Sequence, residues 1–255
     1  MVMKKKILIA FGSILVIAGV VIGGIGLKNY LAEKHAGKLY EELKVDMDIE
    51  PIIKLPTASV EQMENPIDFD SLTAQYPDIY AWIRIPGTRV DYPIVQREGD
   101  NGYYLNHTID GKKKTEGSIY TEDYNSKDFG DANTVIYGHN MKNGSMFKTL
   151  HKYKDKQFLL DNSEIYIYQK DRVLKYKIFA AYIYDNRHLM LSFDFEDENI
   201  FRNYLNNVLT KRDMSSNINT NVDVTVDDKI ITLSTCNNND AQRYLVQAVL
   251  LSIQE

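Results

Sequence analysis

The sequence predicts a mainly β protein whose strands close, or nearly close, into a barrel, with helices added to it. Three observations lead there. Tyrosine is abundant, 18 residues of 255, and stands in apolar runs such as EIYIYQ and YKIFAAYIYD, where aromatic and β-branched side chains favour strands. The runs are short and punctuated by turn residues, as successive strands require. One segment interrupts the pattern: DENIFRNYLNNVLTKR sets Ile200, Phe201, Tyr204, Leu205, Val208 and Leu209 on one helical stripe. The length suits one domain with appendages, and 44% hydrophobic residues suffice for a real core. A net charge of -5 gives no electrostatic basis for binding nucleic acid.

Taken in order, the chain opens on a six-residue basic tail, residues 1–6, followed by Ile7 to Leu27 without a charge. At about 1.5 Å per residue these span roughly 31 Å, the thickness of a bilayer's hydrocarbon core. The following GLKNYLAEKH is a poor exit for signal cleavage, so 7–27 is expected to be an uncleaved membrane anchor. Lysines flank both ends, but a tail this short is the easier side to leave in the cytosol, which places the remainder outside. Residues 28–50 carry mixed charge with Leu31, Leu39 and Leu43 at helical spacing, and PIIKLPTASVEQMENP, with its three prolines, is a linker. The boundaries expected are thus 28–65 for a juxtamembrane helix and linker, and 66–255 for the main folded domain.

Within that domain, IDFDSLTAQYPDIYAWIRI predicts a short helix capped near Asp70 or Ser71, then a strand from Ala81 to Ile85. TVIYGH is an apolar strand that ends at His139. A hairpin turns at Lys170-Asp171. The inserted helix has Asp194, Glu196, Asp197 and Glu198 at its start and Lys211-Arg212 at its end, as its dipole prefers. That acidic run is read as a helix start, not a calcium site. NVDVTV, residues 221–226, alternates like a strand. KIITLSTC and RYLVQAVLLSI flank an Asn/Asp turn.

The chain has one cysteine, Cys236, so no internal disulfide is possible, and a free thiol outside the cell points to function. A cysteine nucleophile reacts as its thiolate and needs a nearby base or cation. Of five histidines, His35 lies in the stalk, His151 sits among lysines as solvated surface, His188 lies in a polar loop, and His107 serves a turn. His139 differs, because an apolar strand delivers it through Gly138 into a polar loop, a rigid mount beside a mobile one. Arg243 opens the strand after the turn, and pairing of 230–236 with 243–253 brings its guanidinium back beside Cys236. There it would hold a carbonyl or stabilise an oxyanion. The bland alternatives are a strand-end histidine bonded to a carbonyl and a surface arginine on an edge strand.

TLSTC followed by an arginine that opens a strand, with VIYGHN upstream, resembles the sortases, membrane-anchored cysteine transpeptidases of Gram-positive bacteria. WIRIPGTRVDYPIVQ, DNGYYLNHTIDG, GSIY, YGHNMKNGSMF and the inserted helix are similar to class B in particular, and the resemblance covers about residues 66–253. It implies a closed eight-stranded β-barrel of the sortase type. It matches Cys236 to the nucleophile, His139 to the catalytic histidine and Arg243 to the arginine. Asn101, Leu105 and Ser234 match positions that contact the sorting peptide. The implied substrates are a surface protein with a C-terminal sorting signal of Asn-Pro-x-Thr-x type and a peptidoglycan precursor or cross-bridge amine, with no metal or other cofactor. The protein is then a single-pass membrane protein with its catalytic domain on the extracellular side. The alternatives are an envelope cysteine peptidase that releases its thioester to water and an inactive membrane-tethered binding module.

Overall fold

A computed structural model describes residues 21–28, 30–47, 49, 65–237, 239 and 241–255. The predicted anchor 7–27 therefore lies mostly outside the described residues; its last part, 21–27, is helical and exposed. Among the described residues no helix is long and apolar enough to cross a membrane. Most of the predicted linker also lies outside them.

In helix α1, Lys38–Asp46, Tyr40 and Leu43 are buried; of the three leucines expected at helical spacing, Leu43 is buried, Leu39 half-buried and Leu31, upstream, exposed. Helix α2, Phe69–Gln75, is capped at Asp68, whose carboxylate accepts from the Ser71 amide, slightly earlier than the sequence indicates. The strands follow: β1 Ile79–Arg84, β2 Asp91–Val95, β3 Ile119–Thr121 and β4 Asn133–Tyr137. After a 3-10 segment at Phe147–Lys154 and helix α3, Lys156–Asp161, the hairpin β5 Glu164–Gln169 and β6 Arg172–Asp185 turns at Lys170-Asp171 as expected. Helix α4, Leu189–Ser192, and the inserted helix α5, Glu198–Leu209, lead to β7 Asn217–Ile218, β8 Ile230–Cys236 and β9 Gln242–Gln254.

Eight strands close a ring in the order β5-β1-β2-β3-β4-β8-β9-β6, and β6 returns to β5. The contacts β2/β3 and β4/β8 are parallel and the others antiparallel. Strand β6 is long enough to share one edge between β5 and the two-residue β7. This is the closed barrel the sequence predicts; closure pairs both edges of each of the eight strands, and among the described residues only the two-residue β7 is left with an open edge.

Alternation along the strands divides two cores. Ile136, Leu233, Tyr244 and Val246 point into the barrel, whereas Val135, Ile230, Leu245 and Val249 point outward against α5. Strands buried on both faces explain why these segments read as nearly unbroken apolar runs. On α5, Phe201, Tyr204, Leu205 and Val208 are buried, while Ile200 stays exposed at the stripe's edge. Asp197 caps the helix by accepting from the Asn199 and Ile200 amides, so the acidic run is a helix start. A buried polar chain joins helix to barrel: Gln247 Nε2 donates to Tyr204 OH at 2.7 Å and Thr232 Oγ1 at 2.8 Å, and Thr232 donates to Asn133 at 2.8 Å.

The predicted strand at 221–226 is corrected. These residues lie outside any ladder, and Val222, Val224 and Val226 pack in partial burial against the α5 core. Their alternation records an extended segment with one apolar side, and the Thr225–Asp228 turn ends it before it finds a partner.

Candidate active site

The site follows from strand register. In the parallel pair β4/β8, Asn133 lies opposite Ile230 and Tyr137 opposite Ser234. Continuing that register two residues on puts His139 level with Cys236, and the Gly138 amide bonds the Ser234 carbonyl at 3.1 Å. Both strands run the same way, so residues far apart in sequence leave the barrel at one end. In the antiparallel pair β8/β9, Cys236 is directly opposite Arg243. Directly opposed residues of antiparallel strands project on one face with Cβ atoms about 4.5–5.5 Å apart. The turn between them is drawn tight by bonds from the Gln242 amide to the Asn239 carbonyl, 2.9 Å, and between the Asn237 and Gln242 side chains, 3.1 Å.

Cys236, His139 and Arg243 line one cavity of about 220 Å³, together with Leu105 and Ser234. Cys236 is half-buried and unpaired with any other sulfur. The His139 ring places Nε2 2.6 Å from the Leu105 carbonyl. A carbonyl only accepts, so Nε2 carries the proton and the neutral ring's lone pair is on Nδ1. Arg243 Nη1 donates to the Gln242 carbonyl at 3.1 Å, which anchors one arm of its fork. Asn101 is elsewhere: its amide and the Asp123 carboxylate and amide hold one another at 2.6 and 2.7 Å, and it does not line this cavity.

The opposite wall was not legible in the sequence. Glu122, just past β3, faces His188 Nε2 at 2.7 Å. His188 Nδ1 accepts from the Leu191 amide at 3.3 Å, which leaves the neutral ring's proton on Nε2, the atom nearest Glu122. His188 thus lines the cavity and caps α4, where the sequence shows only a polar loop. Tyr120 and Tyr137, stacked at 5.3 Å, line the cavity beside this pair. Burial pushes the Tyr120 phenol up, with Glu122 adding to the shift and the Arg243 charge opposing it. Burial followed by the Glu122 charge does the same to Tyr137.

His151 is the clearest correction. It is half-buried, stacked on Tyr244 at 4.9 Å, and its Nε2 donates to the Cys236 carbonyl at 3.1 Å. Asn140 Nδ2 donates to the same carbonyl at 2.9 Å. Two donors therefore hold the backbone that carries the thiol. Flanking lysines pointed to solvent, but Lys154 instead reaches Asn237 at 3.1 Å across Tyr244, and the ring fills the space beneath. Burial and then the Lys154 charge lower the His151 pKa to about 4. Because the folded state resists a proton that the unfolded state accepts near pH 6.5, stability is complete above about pH 6.5 and falls toward pH 4. Thermal melts from pH 4 to 7 are expected to show this slope, and His151→Gln, which keeps a donor without a titration, is expected to flatten it.

A Sortase domain model matches residues 83–251. Sortase B of Listeria monocytogenes is 36% identical over 178 residues, 69% of this chain and 70% of that protein. Sortase B of Staphylococcus aureus is 28% identical over 98% of this chain and 100% of its own length. Its crystal structure superposes with a TM-score of 0.68 over 85% of this chain and 99% of that one. The chain belongs to the sortase family of cysteine transpeptidases. Within the family it is a class B sortase, as these relatives and this structural likeness show.

Proposed function

We propose that Cys236 is the nucleophile, His139 the acid and base, and Arg243 the oxyanion and peptide-orienting residue of a transpeptidase. Its substrate would be a C-terminal sorting signal of Asn-Pro-x-Thr-x type. The observation that carries this is the shared register of β4, β8 and β9, which brings the three side chains to one cavity. Structures of S. aureus sortase B with its substrate and of a sortase B with triglycine support a peptide substrate and an amine acceptor.

In this reading the Cys236 thiolate attacks the threonine carbonyl, and Arg243 donates to the oxygen as it gains charge. Collapse breaks the peptide C–N bond, and protonated His139 gives a proton to the leaving amine. An amine of a peptidoglycan precursor or cross-bridge then attacks the thioester, and neutral His139 takes its proton. Leu105 and Ser234, at the cavity wall, would contact the peptide. Asn101, held in its turn by Asp123 outside this cavity, would contact the peptide farther along.

Incubating the enzyme with a sorting-peptide library, with and without oligoglycine or diaminopimelate-containing acceptors, tests this directly. Mass spectra are expected to show a Cys236 acyl adduct and a transfer product. An adduct that yields only acid with every acceptor would favour a peptidase, and no adduct at all would favour a binding module.

The apolar stretch 7–27 supports a single-pass anchor, with 28–65 as spacer and 66–255 outside. Protease added to intact protoplasts is expected to remove the domain, whereas full protection or a processed soluble product would contradict the anchor.

A further inference from the structure

His139 is gripped from a distance. Its Nε2 rests on the Leu105 carbonyl, and that carbonyl is seated against Gly117. A Cβ at Gly117 would stand 2.6 Å from both the Leu105 and the Tyr104 carbonyl oxygens, and the residue has φ +54°. Glycine permits both the close approach and the left-handed backbone. The Gly117 carbonyl in turn accepts from the Tyr40 hydroxyl at 2.6 Å, and Tyr40, on α1, is fully buried. The Tyr40 hydroxyl also lies 3.0 Å from Ser118 Oγ. The backbone side of His139 is held by the same helix. Phe147 donates its amide to the His139 carbonyl at 2.9 Å, the Met146 amide bonds Tyr92 OH at 2.9 Å, and the Tyr92 ring packs edge-on against Tyr40. Asn143, in the intervening loop, donates to the Ala36 carbonyl at 2.8 Å.

We infer that the N-terminal helix α1 is part of the proton-transfer apparatus, with Tyr40 and Gly117 as positioning residues that hold the Leu105 carbonyl on His139 Nε2. This rests on the reading of His139 as the acid and base. The chain of contacts keeps the ring's second nitrogen, Nδ1, as the atom that exchanges a proton with the departing and entering amines. A ring released from Leu105 would populate both tautomers, and a share of the molecules would present N–H where a lone pair is needed.

The test uses the full-length enzyme, a sorting peptide, and ¹⁵N-edited spectra of the histidine rings across pH. Gly117→Ala and Tyr40→Phe are compared with Val45→Ala, an exposed α1 residue that touches none of these groups. Gly117→Ala is expected to lower kcat for acylation about tenfold or more with KM nearly unchanged, the loss typical of a misplaced catalytic group. The His139 ring signals should move from the Nε2-protonated form toward a mixture, and the pH–rate profile should shift with them. Tyr40→Phe should give the same change in smaller degree and remains informative if Gly117→Ala fails to fold. Val45→Ala should leave all three unchanged.

Wild-type ring signals and profile in both folded variants would overturn the inference. So would a loss of rate accompanied only by a lower melting temperature. His139→Ala separates the two claims: if it turns over normally, the acid-base reading fails and this inference with it. If it is inactive while Gly117→Ala and Tyr40→Phe behave as wild type, only the inference fails.

Discussion

Cys236→Ala is expected to abolish acyl-enzyme formation, hydrolysis and transfer together, while the barrel remains intact. Cys236 is the only cysteine, so no second thiol can form the thioester. The loss should be on the order of 10⁴-fold or more, since removing a covalent nucleophile leaves only binding and electrostatic contributions. The side chain is half-buried at the end of β8, and its backbone is held by Asn140 and His151. Its truncation should therefore shift melting little. His139→Ala should cost about 10²–10⁴-fold, the range of a positioned acid or base. Single-turnover acylation followed by mass spectrometry measures both. Normal turnover in His139→Ala, with loss on His107→Ala, would transfer the role to His107. The structure argues against that exchange, because His107 is stacked on Tyr103 at 4.1 Å and bonded to its carbonyl, and does not line the cavity.

Arg243→Lys is expected to be nearly as damaging as Arg243→Ala. Arg243 stands directly across the ladder from Cys236, and its Nη1 already holds the Gln242 carbonyl, so the guanidinium plane is oriented toward the cavity before substrate arrives. Lysine keeps the charge but offers one compact donor on a flexible stem, and it cannot supply two parallel bonds. The loss of an oxyanion-type donor costs about 10²–10³-fold in turnover, roughly 2.7–4 kcal/mol. Acylation of Arg243→Lys within about threefold of wild type, with Arg243→Ala inactive, would show that charge alone suffices. Normal acylation in both would reduce Arg243 to a strand residue. Circular dichroism separates these results from misfolding.

How much could be read beforehand varied with the range of the interactions. The hairpin at Lys170-Asp171 and the helix at Glu198–Leu209 were legible because turn chemistry and helical period are local. The 221–226 segment misled because alternation reports one-sided burial, and a strand also needs a partner to receive its hydrogen bonds. His151 misled for a related reason. Its neighbours in sequence are lysines, but its neighbour in space is Tyr244, brought there when the 3-10 segment packs beneath β9. Asn101 was legible only as a motif position; its bond to Asp123 depends on the fold bringing two distant turns together.

Residue type and spacing over a few positions were enough to establish the kinds of elements, the lone thiol, and the short turn that returns Arg243 to it. They were not enough to show that β4 runs parallel to β8, so that His139 emerges beside Cys236. Nor could they set Glu122 against His188 in the cavity wall or seat the Leu105 carbonyl on His139; the folded barrel does both. The reason is physical: parallel pairing is specified by apolar residues buried on both faces of the barrel, and contacts between distant loops arise only once that closure has determined where each strand ends.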